Sequence, residues 1–256
     1  MFKWIRRIFL VLLGGVAFWL LLEFITFPSI SKLRTENPES TSMIDTRIAE
    51  AQARGEQPKR VQMWVNLDKI SPFLQRAVLA GEDTNFATHN GFDFDAIQKA
   101  WEAGKKETEK EAQKDGDNDP GWLPDMSAFK RGGSTISQQL VKNLYLSSER
   151  SFIRKAREAA ITYFMEKELT KPRILELYLN VIEWGDGIYG AEAASQYYFN
   201  KHASELSQQE AAFLSAVIPS PLRVFNPKLN PKRVARRQRI ILRGMPFVKM
   251  PAGTGP

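Results

Sequence analysis

Two acids, Glu82 and Asp83, open the run GEDTNFATHNGFDFDA at residues 81–96. They follow an apolar helical face that stops at Gly81, and acids near a helix C-terminus oppose the macrodipole. Alone they read as surface acids. The neighbours Phe86, His89, Gly91 and Asp93 turn aromatic, imidazole and carboxylate groups back toward the pair. A carboxylate beside an aromatic wall holds its proton more tightly and can serve as a general base. A second run, RGGSTISQQLVKN (131–143), joins Gly132 and Gly133 to Ser134, Thr135, Gln138, Gln139 and Lys142. Glycines let the backbone approach a ligand, and the amides opening the next helix suit a phosphate. The Gly-Lys-Ser/Thr ending of a nucleotide P-loop is missing. A plain N-cap by Ser134 or Thr135 fits equally well and is compatible with binding.

A third run, RKAREA (154–159), sets Arg154 and Glu158 four residues apart. Most such pairs are weak surface salt bridges. Together with Lys155 and Lys142 they also make a cationic wall for a diphosphate, with Glu158 orienting the cations or holding a divalent metal. In a fourth, KPRILELYLNVIEWGDGIYG (171–190), Glu176 and Asn180 share one helical face. Leu175, Leu177 and Leu179 mark that helix as core, and a glycine turn ends it.

Helices must position these groups. Ser71 caps a first helix with Pro72 at its first position, and Phe73, Leu74, Ala77 and Val78 form its apolar face. Asp95 caps a second, through Trp101. Ile136, Leu140, Val141 and Leu144 line a third, and Ile153, Ala156, Ala160, Tyr163 and Phe164 a fourth. Ile174, Leu177, Tyr178 and Val181 mark a fifth, residues 191–199 a sixth, and Ser207 with Glu210 a capping box opening a seventh. Asn230 and Pro231 open a last, basic helix. With little strand signal, the domain is predicted to be mostly α. VQMWVNLDKI (61–70) reads as a short strand or an extended lead-in.

The 256 residues suit one globular domain plus extras. With 36 Lys+Arg against 29 Asp+Glu, the charge of +7 favours an anionic partner. Cysteine is absent, which excludes disulfides and cysteine nucleophiles. Residues 1–7 form a basic tail, and residues 8–28 form an apolar segment interrupted by Glu23. That length spans a bilayer, and the flanking Lys3, Arg6 and Arg7 keep the N-terminus cytoplasmic. An uncleaved anchor is preferred over a signal peptide, because no A-x-A-type cleavage site follows. Glu23 lies about 22 Å along the helix from Ile8, near the outer interface, and is given no function. Residues 29–60 are polar and are expected to be a juxtamembrane linker. A globular domain is expected over 61–243, and a frayed tail over 244–256. Within the domain, residues 102–121 form a charged insert almost without apolar residues, expected to be solvated and mobile. Its apolar flanks, Trp101 and then Trp122, Leu123, Met126 and Phe129, either pack inside or touch a membrane surface.

EDTNFATHNGFD, RGGSTISQQLVKN, RKAREA and KPRILELYLN, in this order, resemble the blocks of the glycosyltransferase domain that polymerises peptidoglycan. AEAASQYYF, LSAVIPSPLRVFNP and RRQRIIL follow in the family's order, so the resemblance covers about residues 61–243. Ser127 with Lys130 and Ser29 with Lys32 match S-x-x-K by chance, and no K-T-G follows. The chain therefore resembles the monofunctional type without a transpeptidase. The resemblance implies a lysozyme-like, mostly α fold behind one transmembrane helix, with a membrane-dipping lobe that contains the insert. It implies an enzyme of the bacterial inner membrane, single-pass, with its catalytic domain on the periplasmic side. Its substrates would be lipid II and the growing glycan chain on undecaprenyl diphosphate. Glu82 would be the base, with Asp83 and His89 shaping its site. Lys142, Arg154 and Lys155 would neutralise the leaving diphosphate. Ser134, Thr135, Gln138 and Gln139 would hydrogen-bond it or the sugars. Glu158 would be a second catalytic acid, positioning the diphosphate or a divalent cation (Mg or Mn). No covalent cofactor is expected. Cell-division or cell-wall synthesis proteins are expected partners, and nucleic acid is not. A lytic transglycosylase shares the fold but needs no cationic diphosphate site. A non-enzymatic envelope scaffold would tolerate loss of Glu82.

Overall fold

A computed structural model describes residues 2–99, 101–102, 104–105, 134–146 and 151–253. Most of the insert, its flanks at 122–129, and Gly132 and Gly133 lie outside these residues, and with them the expectations placed there. The N-terminal helix α1 runs Phe2–Ile25. Among the described residues, no helix is long and apolar enough to cross a membrane.

The described fold is mostly helical, as expected. Helix α2 (Ser42–Ala53) is capped by Thr41, whose hydroxyl accepts from the Ile44 amide at 3.1 Å. Helix α3 (Pro72–Glu82) starts at the Ser71 cap with Pro72 at its first turn. It does not stop at Gly81. A Cβ there would sit 2.6 Å from Ser215 Oγ, so the missing side chain lets two helices approach closely. The following helix, α4, covers the helical residues 94–99, 101–102 and 104–105. Its cap is Asp93, not Asp95: Asp93 Oδ1 accepts from the Ala96 amide at 2.9 Å.

Then come α5 (Ile136–Tyr145), α6 (Phe152–Glu168), α7 (Lys171–Val181), α8 (Ala191–Phe199), α9 (Gln208–Val217) and α10 (Pro231–Gly244). The capping box predicted at Ser207 and Glu210 is present. The only sheet among the described residues is small. In it β1 (Val61–Gln62) runs parallel to β3 (Ile188–Tyr189), which pairs antiparallel with β2 (Glu183–Gly185). Asn180 fixes the lead-in after β1, with Oδ1 accepting from Val65 N at 3.0 Å and Nδ2 donating to Val65 O at 2.9 Å. Glu176 accepts from Leu67 N at 2.9 Å. The polar face of α7 thus holds backbone.

Apolar side chains outside 61–243 also reach the core. Ile30 and Leu33, at the start of the 29–60 segment, belong to the main hydrophobic cluster. Met245 and Val248 do the same for the C-terminal segment. Helix α6 reverses its expected face. Its buried residues are Glu158, Ile161, Thr162 and Met165, while Ile153, Tyr163 and Phe164 are exposed.

Candidate active site

Glu82 is the last residue of α3 and its side chain is almost fully buried. Arg237 of α10 donates from Nη2 to Glu82 Oε1 at 2.8 Å and to the Gly81 carbonyl at 2.8 Å. Gln139 of α5 donates from Nε2 to Glu82 Oε2 at 3.1 Å. The Gln139 amide is itself oriented, because the Tyr178 hydroxyl donates to its Oε1 at 2.9 Å. Burial pushes the Glu82 carboxyl above its ordinary value, and Arg237, the Gln139 hydrogen bond and Lys142 pull it back. The net direction is upward. Such a carboxylate accepts a proton more readily than a solvated one.

Asp83 does different work. It accepts from the Ile136 amide at 2.9 Å, tying the end of α3 to the start of α5. Both its oxygens meet His89 Nε2, at 2.9 and 3.0 Å. The Gly91 amide donates to His89 Nδ1 at 3.1 Å, so the ring proton belongs on Nε2. Neither ring nitrogen is left for a ligand, and His89 braces the loop beside Glu82. Gly91 has φ +86°, and a Cβ there would meet Glu166 and Thr162 at 2.9 Å, so the loop needs glycine on both counts.

The opening of α5 is a capping box. Thr135 Oγ1 accepts from the Gln138 amide at 3.2 Å, and Gln138 Oε1 accepts from the Thr135 amide at 3.0 Å. Thr135 also donates to the Gly91 carbonyl at 2.7 Å, joining this turn to the Asp83–His89 loop. The N-cap alternative holds for Thr135, and both residues are buried. Ser134 is exposed, and its carbonyl accepts from Gln139 at 3.4 Å. The outward-facing members of the block are therefore Ser134, Gln139 and Lys142.

Lys142 lies one turn beyond Gln139. Its ammonium forms no ion pair or side-chain hydrogen bond with a described residue. Its pKa is lowered, first by desolvation; Arg154 and Lys155 push the same way, and Glu158 and Glu82 oppose. The residue as a whole is exposed, so water screens these influences. The causes show that Lys142 senses both acids, Glu82 and Glu158.

Glu158 is buried in the middle of α6. One oxygen accepts from Arg154 Nη1 at 3.1 Å, and the other meets Lys155 Nζ. This is a clamp on two cations, not a surface bridge. With both oxygens engaged by cations, the donor set does not fit a protein-held metal. Among the described residues, no group of three or more His, Cys, Asp or Glu could hold one.

Arg237 lies on the basic last helix that Asn230 and Pro231 open. Its partner lies 155 positions away, which no periodicity reveals. Tyr178 lies on the core face that the periodicity marks, and periodicity gives no partner for its hydroxyl. A tyrosine amid a leucine face was the available signal, since a buried hydroxyl needs a partner.

A family model described as Transglycosylase matches residues 48–116 and 123–246. The chain belongs to this family. The break in the match, 117–122, falls at the end of the charged insert. The chain is similar to a protein of Chromobacterium violaceum named biosynthetic peptidoglycan transglycosylase, 42% identical over 246 residues, covering 96% of this chain and 99% of the relative. Relatives of the same name in Laribacter hongkongensis and Nitrosospira multiformis are 42% and 39% identical, over 98% and 97% of this chain and 100% and 98% of their own.

Proposed function

We propose that this transglycosylase is a peptidoglycan glycosyltransferase that polymerises lipid II into β-1,4 glycan strands. The observation that carries this reading is the path along α5. Gln139 touches the buried base Glu82, and one turn later Lys142 lies within electrostatic reach of both Glu82 and the Arg154–Lys155–Glu158 clamp. A base and a cationic wall on one helix suit attack by a hydroxyl with departure of a diphosphate.

Glu82 takes the proton of the acceptor 4-hydroxyl as its oxygen bonds to the anomeric carbon of the growing chain. The bond from that carbon to the diphosphate oxygen breaks on the opposite face. Its electron pair leaves with undecaprenyl diphosphate, and α inverts to β. Lys142, Arg154 and Lys155 neutralise the departing charge, which preorganised cations do without reorganisation. Glu158 holds Arg154 and Lys155 in place. Gln139 and Ser134 face the substrate, while Asp83, His89, Thr135 and Gln138 keep the loops rigid. No step here is routed through a metal; a Mg or Mn requirement is decided by chelation.

The enzyme works at the inner membrane with its catalytic domain on the periplasmic side, held by α1 as a single-pass anchor. The apolar run of residues 8–27 supports this, being long enough in sequence to span a bilayer. Leu10, Leu13, Phe18, Leu21 and Ile25 are exposed along it. Tethering confines enzyme and lipid-borne substrates to one leaflet, which raises their effective concentration. Partners among cell-wall synthesis or division proteins belong to the same proposal.

The test is polymerisation of labelled lipid-linked disaccharide-pentapeptide by the purified protein in detergent, with and without a chelator. Long glycan digestible by a muramidase is the expected product. No polymer, with fragments released from intact cell-wall sacs, would establish a lytic enzyme instead.

A further inference from the structure

Helix α6 has two faces, and the mechanism uses one. Arg154 and Glu158 belong to the site. Positions two apart are about 200° apart around a helix, so Ala156 and Ala160 lie on the far side. Phe152, Ile153, Tyr163 and Phe164 share that side, and they are 86%, 57%, 52% and 45% exposed. With the exposed Ala156 and Ala160 they form an apolar stripe about 18 Å long. Single exposed apolar residues are ordinary, but a continuous stripe on one helix is not.

We infer that this face of α6 lies in the outer leaflet, at the boundary between headgroups and acyl chains. The inference rests on the proposed anchor. Three observations favour lipid as the occupant. The stripe is continuous with the end of α1: Arg157 of α6 donates to Glu23 Oε2 at 2.9 Å and to the Thr26 carbonyl at 2.8 Å. Just beyond, the Phe27 ring meets Phe164 edge-on at 5.3 Å between centroids. Glu23, given no function by sequence, is thus a strut between anchor and domain. Second, the stripe has the make-up of an interfacial helix. Lys167 stands over the Tyr163 ring at 5.4 Å, so a long cationic side chain flanks the aromatic and aliphatic ones. Third, no free acid on α6 would repel anionic headgroups. Glu158 is clamped, Glu166 pairs with Lys171 at 2.8 Å, and Glu168 with Arg34 at 2.6 Å.

The placement sets a depth. With α6 lying in the boundary plane, the Arg154–Glu158 face sits about one helix diameter, roughly 10 Å, further out. That is the headgroup level, where the diphosphate of a lipid substrate emerges. The enzyme then takes its leaving group from the leaflet without lifting the lipid out.

The cysteine-free sequence makes the test direct, because one introduced cysteine is the sole labelling site. Ala156→Cys and Ala160→Cys, spin-labelled, go into vesicles of phosphatidylglycerol and phosphatidylethanolamine as the full chain. Leu13→Cys on α1 and the exposed Ser204→Cys serve as membrane and solvent references. Collisions with oxygen, which partitions into lipid, are compared with collisions with a water-soluble nickel chelate. The expected result is a shift at residues 156 and 160 toward high oxygen and low nickel accessibility, well away from residue 204. Nickel accessibility like that at 204 would overturn the inference. So would protection from both probes, which would mean that protein covers the stripe. If residue 13 also reads as solvated, the anchor itself fails, a result separate from failure at α6 alone.

Discussion

The two buried acids of the site, Glu82 and Glu158, are wired in opposite ways. Glu158 sits in the middle of a helix with a cation on each oxygen. Glu82 sits at a helix end with one cation on one oxygen and a neutral amide on the other. Burial raises the proton affinity of Glu82, and its single arginine offsets that only in part. An acid saturated with cations organises charge for something else; an acid short of them is left to take a proton. The contrast teaches that burial alone does not assign a role, and that the count and kind of partners does.

The strongest test of this division is Glu82→Gln. Loss of a general base predicts polymerisation slowed roughly 10³-fold or more. The same change should raise the thermal midpoint at neutral pH. A carboxyl whose folded pKa is raised contributes stability below its unfolded pKa and loses it as pH rises through the folded value. Glutamine imitates the neutral form, so the gain should vanish in acid. A lower midpoint at neutral pH would mean that Glu82 is a structural ion pair.

Glu158→Gln comes next. It leaves Arg154 and Lys155 without their shared anion, and polymerisation should fall on the order of 100-fold, as when a preorganised charge is misplaced. The acid limb of the pH–rate profile should stay where it is, because Glu82 sets that limb. Movement of the limb would erase the distinction between the two acids.

Arg237→Gln sharpens the comparison from the other side. Removing the cation that holds Glu82 ionised moves the acid limb to higher pH, with activity in acid lowered about tenfold, the scale of one charge-assisted hydrogen bond. Activity should recover at alkaline pH, and Arg237→Lys should restore much of the profile. A uniform loss across pH would make Arg237 a packing residue only.

What the sequence revealed divides along the same line. Local signals were readable: the Ser71 cap, the Ser207–Glu210 box and the core stripe Ile136, Leu140, Val141, Leu144 all stand where periodicity put them. The α6 face is the reverse of what its apolar pattern predicts, because its buried side contains Glu158 and Thr162 and its outer side is apolar. Period alone cannot say which face meets water and which meets protein or lipid. The four site blocks were legible through resemblance, but which members point at substrate was not. Thr135 and Gln138 cap a helix, His89 braces a loop, and Arg237 enters from α10. These assignments depend on contacts between segments far apart in the chain.

The smallest expected effect tests how finely Glu82 is set. Tyr178 is fully buried, and its hydroxyl donates to Gln139 Oε1 at 2.9 Å. That bond fixes which end of the amide faces Glu82. In Tyr178→Phe the ring stays packed, but Oε1 loses its donor and the amide is free to flip. A flipped amide points oxygen at the carboxylate, which raises its proton affinity further and loosens its aim. Polymerisation should fall about fivefold, the scale of one neutral hydrogen bond, with the acid limb displaced slightly upward. In a Gln139→Ala background the same change should cost nothing more, since the two side chains act as one unit. Additive losses would show that Tyr178 supports the site by packing, and that Gln139 needs no help to face Glu82.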